Sequence, residues 1–513
     1  MSWWKRPEAW MLVAYAVVLG LGLANHEMWR DELQAWLIAA SSSSFGELMA
    51  NLRYEGHPAL WHLLLFFVSR LTQAPEAMQV LHGLIALASA YLVLRHAPFS
   101  RLQKGLIVFG YFPLFEFGMI SRNYALGVLL TFAVCAIYAG RTRSYWQLAV
   151  LLALLCQTNA FGLLLALCLA AALVIEFLLD AEQRQAFAAR WWNPALALLI
   201  VGGGVAVAVL QILPPADFHG THAQISLGFD AERATRLIHA VGWSLLPWPD
   251  PTIHHFWNSD ILASVYGGRK SLGIALALFL VALAALARRP YALGLFLAGA
   301  AGLLLVLTMP SYAGRMRYLG HLYVFFLACY WLARSPAGPG FRLPAAQWSP
   351  RRLGLAAPAL TLVFALQAGA GLYAFAQDLR HPFSHSASVA RYLRDAGLAD
   401  RPILGSRDYV ASPITAYLRR PIELIESDRR GTFIIWSNRR DQRQEENFAR
   451  VASLVAREGE AVLVVNTVAN PFAQRLAIDA AMPGFRVEPL VQFEQALVAD
   501  ENYRLYRVTP RLE

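Results

Sequence analysis

Between residues 9 and 375 the chain runs through one long apolar stretch after another, separated by short polar breaks. Hydrocarbon offers backbone groups no hydrogen-bond partner, so each stretch that enters a bilayer is forced to be a helix. Crossings are read near 9–25, 78–95, 104–120, 123–140, 145–158, 161–179, 192–212, 271–287, 290–308, 318–333 and 353–375. With 57% hydrophobic and only 15% charged residues, this is a polytopic α-helical membrane protein rather than a soluble enzyme. The segment Ala59 to Leu71 is apolar enough to enter the bilayer, yet counting it as a crossing breaks the alternation of the loops. It stays open between a juxtamembrane helix, a re-entrant helix and a true crossing.

The loops orient the crossings. Lys5 and Arg6, Arg95 to Lys104, Arg141 to Arg143, Arg184 to Arg190, Arg288 and Arg289, and Arg334 to Arg352 form short basic clusters, the pattern of cytoplasmic loops. That distribution accounts for the net charge of +10 and argues against nucleic acid as a partner. The N-terminal run lacks a small-residue cleavage site and reads as a retained first helix. Cys135, Cys156, Cys168 and Cys329 lie inside apolar runs without metal-ligand spacing, as packing residues do. The remaining loops face outward, including outer loops at 25–58 and 213–270.

After about residue 375 the pattern changes. Apolar runs at Pro402–Leu404, Thr432–Trp436, Ala461–Val465 and Tyr503–Val508 alternate with polar helical stretches at 386–396 and 442–458. Strands alternating with helices predict a C-terminal α/β domain over 376–513, following a membrane domain over 1–375. An odd number of crossings from a cytoplasmic N-terminus places this domain outside. It has no Gly-rich loop between strand and helix, so no nucleotide cofactor is expected. Its expected job is acceptor or partner recognition, or bracing of the loops.

Ionisable groups at a membrane rim face water, each other or a polar substrate. Trp29-Arg30-Asp31-Glu32-Leu33-Gln34 and Tyr54-Glu55-Gly56-His57-Pro58 occupy such a rim, where the bland alternative is helix capping. Gly56 allows a tight turn that returns Glu55 and His57 to the mouth of the membrane domain. Arg122, Arg315 and Arg317 fall on the outer side, against the positive-inside trend. Arginine can hold two phosphate oxygens at once, although snorkelling to lipid headgroups would also place it there.

Trp29-Arg30-Asp31-Glu32, Glu55-Gly56-His57-Pro58-Ala59-Leu60-Trp61 and Ser121-Arg122-Asn123-Tyr124-Ala125-Leu126 resemble the polyprenyl-phosphate-dependent membrane glycosyltransferases of the GT-C superfamily, mainly over residues 9 to 330. Within it, the bacterial relatives of protein O-mannosyltransferases and of the lipid A aminoarabinose transferase are nearest. The resemblance implies a GT-C-like fold, a polyprenyl-phosphate sugar donor, and transfer on the periplasmic side of a bacterial inner membrane with inversion. The acceptor would be a lipid, glycan or protein, and membrane lipids would be further partners.

On that reading Asp31 is the catalytic base. Glu32, which does not share its helix face, orients it, binds acceptor hydroxyls or meets a basic residue. Arg122, and Arg315 or Arg317, hold the donor phosphate, with His57 as a further donor and Tyr124 and His321 as secondary candidates. The order Glu55-Gly56-His57 departs from the acidic and lysine pair of the resembling enzymes. A divalent metal on Asp31, Glu55 and His57, completed by His219 and His222 or by His254 and His255, is a further reading. Two other functions remain: a lipid or glycan transporter, and a polymer-joining enzyme using a lipid-pyrophosphate donor.

Overall fold

The computed structural model describes residues 3–218, 231–307, 315–335, 356–437, 444–466, 478, 480 and 482–511. It shows a polytopic α-helical membrane protein followed by a β-strand-rich domain. Among the described residues seven helices are long and apolar enough to cross a membrane: Pro7–Asn25, Glu76–His96, Tyr124–Thr142, Ala160–Leu179, Trp192–Ile212, Pro290–Leu307 and Ala356–Arg380. The helix Met316–Arg334 is buried nearly all round at the centre of the bundle, the position expected of a helix that is apolar on every face.

Three expectations for this part change. The crossing near 104–120 is broken: an α-helix, Arg101–Val108, gives way to a π-helical turn, Tyr111–Glu116, that contains Pro113. Proline has no N–H to continue the ladder, and the Pro113 carbonyl accepts instead from the Tyr15 hydroxyl at 2.8 Å. The helix Ala356–Arg380 crosses this break at Gly371, where a Cβ would lie 2.7 Å from the Phe109 carbonyl oxygen, so only glycine permits the approach. The stretch 213–270 is not a plain loop either. It contains the helix Ala231–Leu245 and the start of the helix Ile261–Leu286, which begins ahead of the expected 271.

Ala59 to Leu71 forms the helix Leu60–Leu71, whose 12 residues span about 18 Å, short of a hydrocarbon core of roughly 30 Å. It buries Trp61, His62, Leu65 and Ser69, and its apolar face joins one core with Leu33, Trp36 and Leu37 of the helix Arg30–Ser41.

The C-terminal domain is built on a sheet of β1 (Ile403–Ser406), β2 (Ile422–Leu424), β3 (Arg429–Gly431), β4 (Ala461–Asn466), β5 (Phe485–Phe493) and β6 (Tyr503–Pro510), in the order β3-β2-β1-β4-β6-β5. β1 runs parallel to β2 and β4, while β6 is antiparallel to β4 and β5. β4 is buried along its whole length because both faces are covered. Val462 and Val464 meet Val389 and Leu393 of the helix Ser386–Asp395, and Leu463 and Val465 meet Val451 and Val455 of the helix Gln444–Glu458. Gly397, at φ +66°, ends the first of these helices.

The run Thr432–Trp436 is not a strand. After β3 it leaves the sheet and packs Phe433 and Ile435 against the core of the Arg30–Ser41 helix. The strands β2 and β3 are too short to show a period, and β5, whose alternation shifts register between Pro489 and Val491, escapes the sequence reading as well.

Candidate active site

The helix Arg30–Ser41 starts one short loop after the first membrane helix, and its N-terminus is fixed from three sides. Glu32, fully buried, accepts from the Trp29 N–H at 3.1 Å and from the Ser121 N–H at 2.6 Å. Its Oε2 lies 3.1 Å from His26 Nε2, and His26 Nδ1 lies 3.0 Å from Asp378 at the end of the last membrane helix. Burial alone would lower the His26 pKa, but Asp378 and Glu32 outweigh it and push it up to about 10, so the imidazolium joins two carboxylates. Arg30 reaches the C-terminal domain, with Nη1 2.6 Å from Asp500 and its backbone N–H donating to Glu501 at 3.0 Å. Glu32 therefore meets a basic residue, His26, and is absent from the lining of the cavity described next.

One turn of this helix presents Asp31, Gln34 and Ala35 to a cavity of about 220 Å³. Their i, i+3, i+4 spacing puts them on one face. Glu55, His57, Trp61 and His62 form a second wall, Arg122, Asn123 and Tyr318 a third, and Trp436 of the C-terminal domain closes the cavity. Gly56 has φ +66°, the left-handed turn that lets Glu55 and His57 line the same space.

Asp31 is the electrostatic centre. Its Oδ2 is 2.6 Å from Arg122 Nη1 and 3.3 Å from Arg317 Nη2, and its Oδ1 is 3.9 Å from Arg30. Burial raises the Asp31 pKa, but Arg122, Arg317 and Arg30 outweigh it and hold the carboxyl well below its ordinary range. Arg317 is almost wholly buried between aromatic rings, 5.3 Å from the centre of Trp29 and 5.9 Å from that of Trp257. Its Nε and Nη1 have no hydrogen-bond partner among the described residues. Trp257 donates to the buried Glu116 at 3.0 Å, a carboxylate whose apolar sequence neighbours hide it.

Glu55 has the opposite environment. Burial pushes its carboxyl up to about 7, against the hydrogen bond from Gln34. Gln34 Nε2 donates to Glu55 at 2.9 Å and to the Ile434 carbonyl at 2.8 Å, and its Oε1 accepts from the Ile434 N–H at 3.0 Å. Burial and the nearby arginines lower the His57 pKa to about 4, leaving a neutral imidazole.

Other sequence candidates fall elsewhere. Arg315 is exposed at the start of the Met316–Arg334 helix, whereas Arg317 turns inward. Tyr124 is buried beside Arg122, its hydroxyl 3.5 Å from Arg122 Nη2. His321 stacks on Phe161 at 4.6 Å and does not line the cavity, and its Nε2 has no partner among the described residues. His219 and His222 lie outside the described residues. His254 and His255 donate to the Gln495 and Ala496 carbonyls, tying the membrane domain to the loop before β6. Among the described residues no three His, Cys, Asp or Glu side chains gather in a metal-binding group.

Sequence reasoning gave no role to Gln34, Trp61, His62, Asn123, Tyr318 or Trp436. Gln34 alone carried a local signal, its spacing from Asp31. A larger cavity of about 470 Å³ lies between the helices Trp146–Cys156, Ala160–Leu179 and Trp192–Ile212, but its apolar lining includes no carboxylate or imidazole.

The whole-chain architecture has a solved counterpart. The apo crystal structure of ArnT from Cupriavidus metallidurans matches 98% of this chain and 97% of its own, with TM-score 0.50 and 13% identity. At that likeness the two chains share a fold. The ArnT structure bound to undecaprenyl phosphate aligns over 98% of both chains at TM-score 0.49 and 12% identity. Arabinofuranosyltransferase AftD from Mycobacteria aligns over 98% of this chain but 40% of its own, at TM-score 0.43 and 15% identity. No protein-family model matches the sequence, and no curated protein does. A shared fold at 13% identity leaves the chemistry to this chain's own residues.

Proposed function

We propose that this protein is a GT-C glycosyltransferase that transfers a sugar from a polyprenyl-phosphate donor to an acceptor hydroxyl at the outer face of a bacterial inner membrane. The observation that carries the reading is the arginine pair. Arg317 is buried and Arg122 mostly so, they share the carboxylate of Asp31, and two Arg317 N–H groups are unused among the described residues. Buried guanidinium donors without partners call for an anion, and planar forks suit phosphate.

In this reaction the acceptor oxygen attacks the anomeric carbon while the bond to the phosphate oxygen breaks. The leaving phosphate keeps the bonding electrons, and Arg122 and Arg317 stabilise the charge it gains. Once phosphate has taken over the arginines, Asp31 is released to accept the acceptor's proton, and attack from the opposite face inverts the anomeric centre. A second reading gives the proton to Glu55. It is favoured by burial, which pushes that carboxyl to about 7, the better value for a base at neutral pH.

Arg315, exposed at its helix start, is left out of the clamp. The C-terminal domain faces the same outer side, because it closes the cavity through Trp436. The test is mass analysis of lipid products from purified protein given a polyprenyl-phosphate sugar and a panel of acceptors. Free polyprenyl phosphate formed together with one added sugar supports the proposal. Released pyrophosphate lipid from a pyrophosphate donor, or lipid moved across vesicles unchanged, would reject it in favour of polymer joining or transport.

A further inference from the structure

We propose that Trp436, Glu55 and Gln34 form a subsite for one sugar ring, with Trp436 brought from the C-terminal domain to stack on the ring's face. The inference rests on the transferase reading and adds the chemistry of what fills the cavity.

Three observations carry it. The first is unmet hydrogen bonding. Among the described residues Trp61 Nε1, His62 Nδ1 and Asn123 Oδ1 are buried without partners, and all three residues line the cavity. Trp61 offers a donor, Asn123 an acceptor and neutral His62 either, a mixture that hydroxyl groups can satisfy because each both donates and accepts. A lipid tail would leave these atoms unpaired.

The second is the aromatic plane. Trp436 packs near Tyr409, with ring centres 6.4 Å apart, and lines the cavity together with Glu55. The apolar face of a sugar packs well against such a surface.

The third is how Trp436 arrives. The segment Thr432–Trp436 is held by the paired amide bonds between Gln34 and Ile434, and by Ser41 Oγ 2.7 Å from Thr432 Oγ1. Gln34 serves both ends of this arrangement, since it also donates to Glu55. The same side chain thus sets the position of the sheet domain's tryptophan and of the cavity's second carboxylate.

The ring could belong to the donor or to the acceptor, and kinetics separates the two. Trp436→Ala and Trp436→Phe are compared with wild type for slow donor hydrolysis to water, for transfer, and for binding of free polyprenyl phosphate. The expected result for Trp436→Ala is a rise of about tenfold in the KM of one sugar-bearing substrate, largely restored by Trp436→Phe, with polyprenyl-phosphate binding unchanged. A rise in the hydrolysis KM assigns the ring to the donor. A rise confined to the transfer KM assigns it to the acceptor.

Unchanged KM values in both reactions would overturn the subsite. So would loss of polyprenyl-phosphate binding in Trp436→Ala, which would make Trp436 a structural support of the arginine clamp. Failure of wild-type protein to bind polyprenyl phosphate is a separate result, and it removes the transferase reading itself.

Discussion

Asp31→Asn should change donor binding and turnover in opposite directions. In the free protein Asp31 Oδ2 holds Arg122 at 2.6 Å and Arg317 at 3.3 Å, so a donor phosphate must compete with it for both guanidinium groups. A charge-assisted hydrogen bond contributes about 1.5–3 kcal/mol, and 1.4 kcal/mol is a tenfold change in affinity. Removing that competitor should tighten binding of free polyprenyl phosphate by roughly 10- to 100-fold.

The same change leaves the buried Arg317 and the mostly buried Arg122 without the charge between them. The ligand-free variant should therefore lose about 3 kcal/mol of stability, much of it recovered when phosphate binds. Turnover should fall by roughly 10²-fold or more, since asparagine cannot accept a proton. Thermal unfolding in detergent, with and without polyprenyl phosphate, reads the first effect, and transfer of a labelled sugar reads the second. A variant that binds the phosphate lipid no better than wild type refutes the competition, and near-normal transfer refutes a chemical role for Asp31.

Arg122→Lys and Arg317→Lys keep charge but lose the planar fork, so equilibrium binding should show each weakening sugar-loaded donor and free polyprenyl phosphate alike, by about tenfold. Arg315→Ala should bind both lipids as wild type does, and a loss there would contradict its exposed position. If Glu55 takes the proton it must be ionised, so kcat/KM should climb as pH rises through about 7 and Glu55→Gln should abolish that limb. A wild-type rate flat from pH 6 to 8 would return the role to Asp31, whose carboxyl is held below its ordinary range. Within the membrane domain Arg141 is paired to Glu176 at 2.7 Å with both side chains buried, so Glu176→Leu alone should cost about 3–5 kcal/mol while the double change Arg141→Met with Glu176→Leu costs much less. Equal unfolding midpoints for the single and double variants would argue against that stranded charge.

The sequence alone determined the helical membrane bundle, because a bilayer leaves a long apolar run no other way to satisfy its backbone. It also determined the sheet's central strand, since Ala461–Val465 is apolar at successive positions and can be buried on both faces. Asp31, Glu55, His57 and Arg122 were legible as rim residues because charge beside an apolar run needs a partner or a substrate. Gly56 marked the turn that brings two of them together.

Only the tertiary structure decided which arginine turns inward. Arg315 and Arg317 have the same charge and nearly the same position in the chain, and burial distinguishes them through packing against Trp29 and Trp257. It also separated the adjacent carboxylates. Asp31 turns to the arginines and Glu32 to His26 and backbone N–H groups, because successive residues on a helix point about 100° apart. Thr432–Trp436 has the composition of a strand, yet the backbone of Ile434 at its centre pairs with the side chain of Gln34, 400 residues away in sequence. No local pattern encodes such a partner: composition and periodicity report which face of a segment is apolar, while the neighbour that covers it is set by how the whole chain packs.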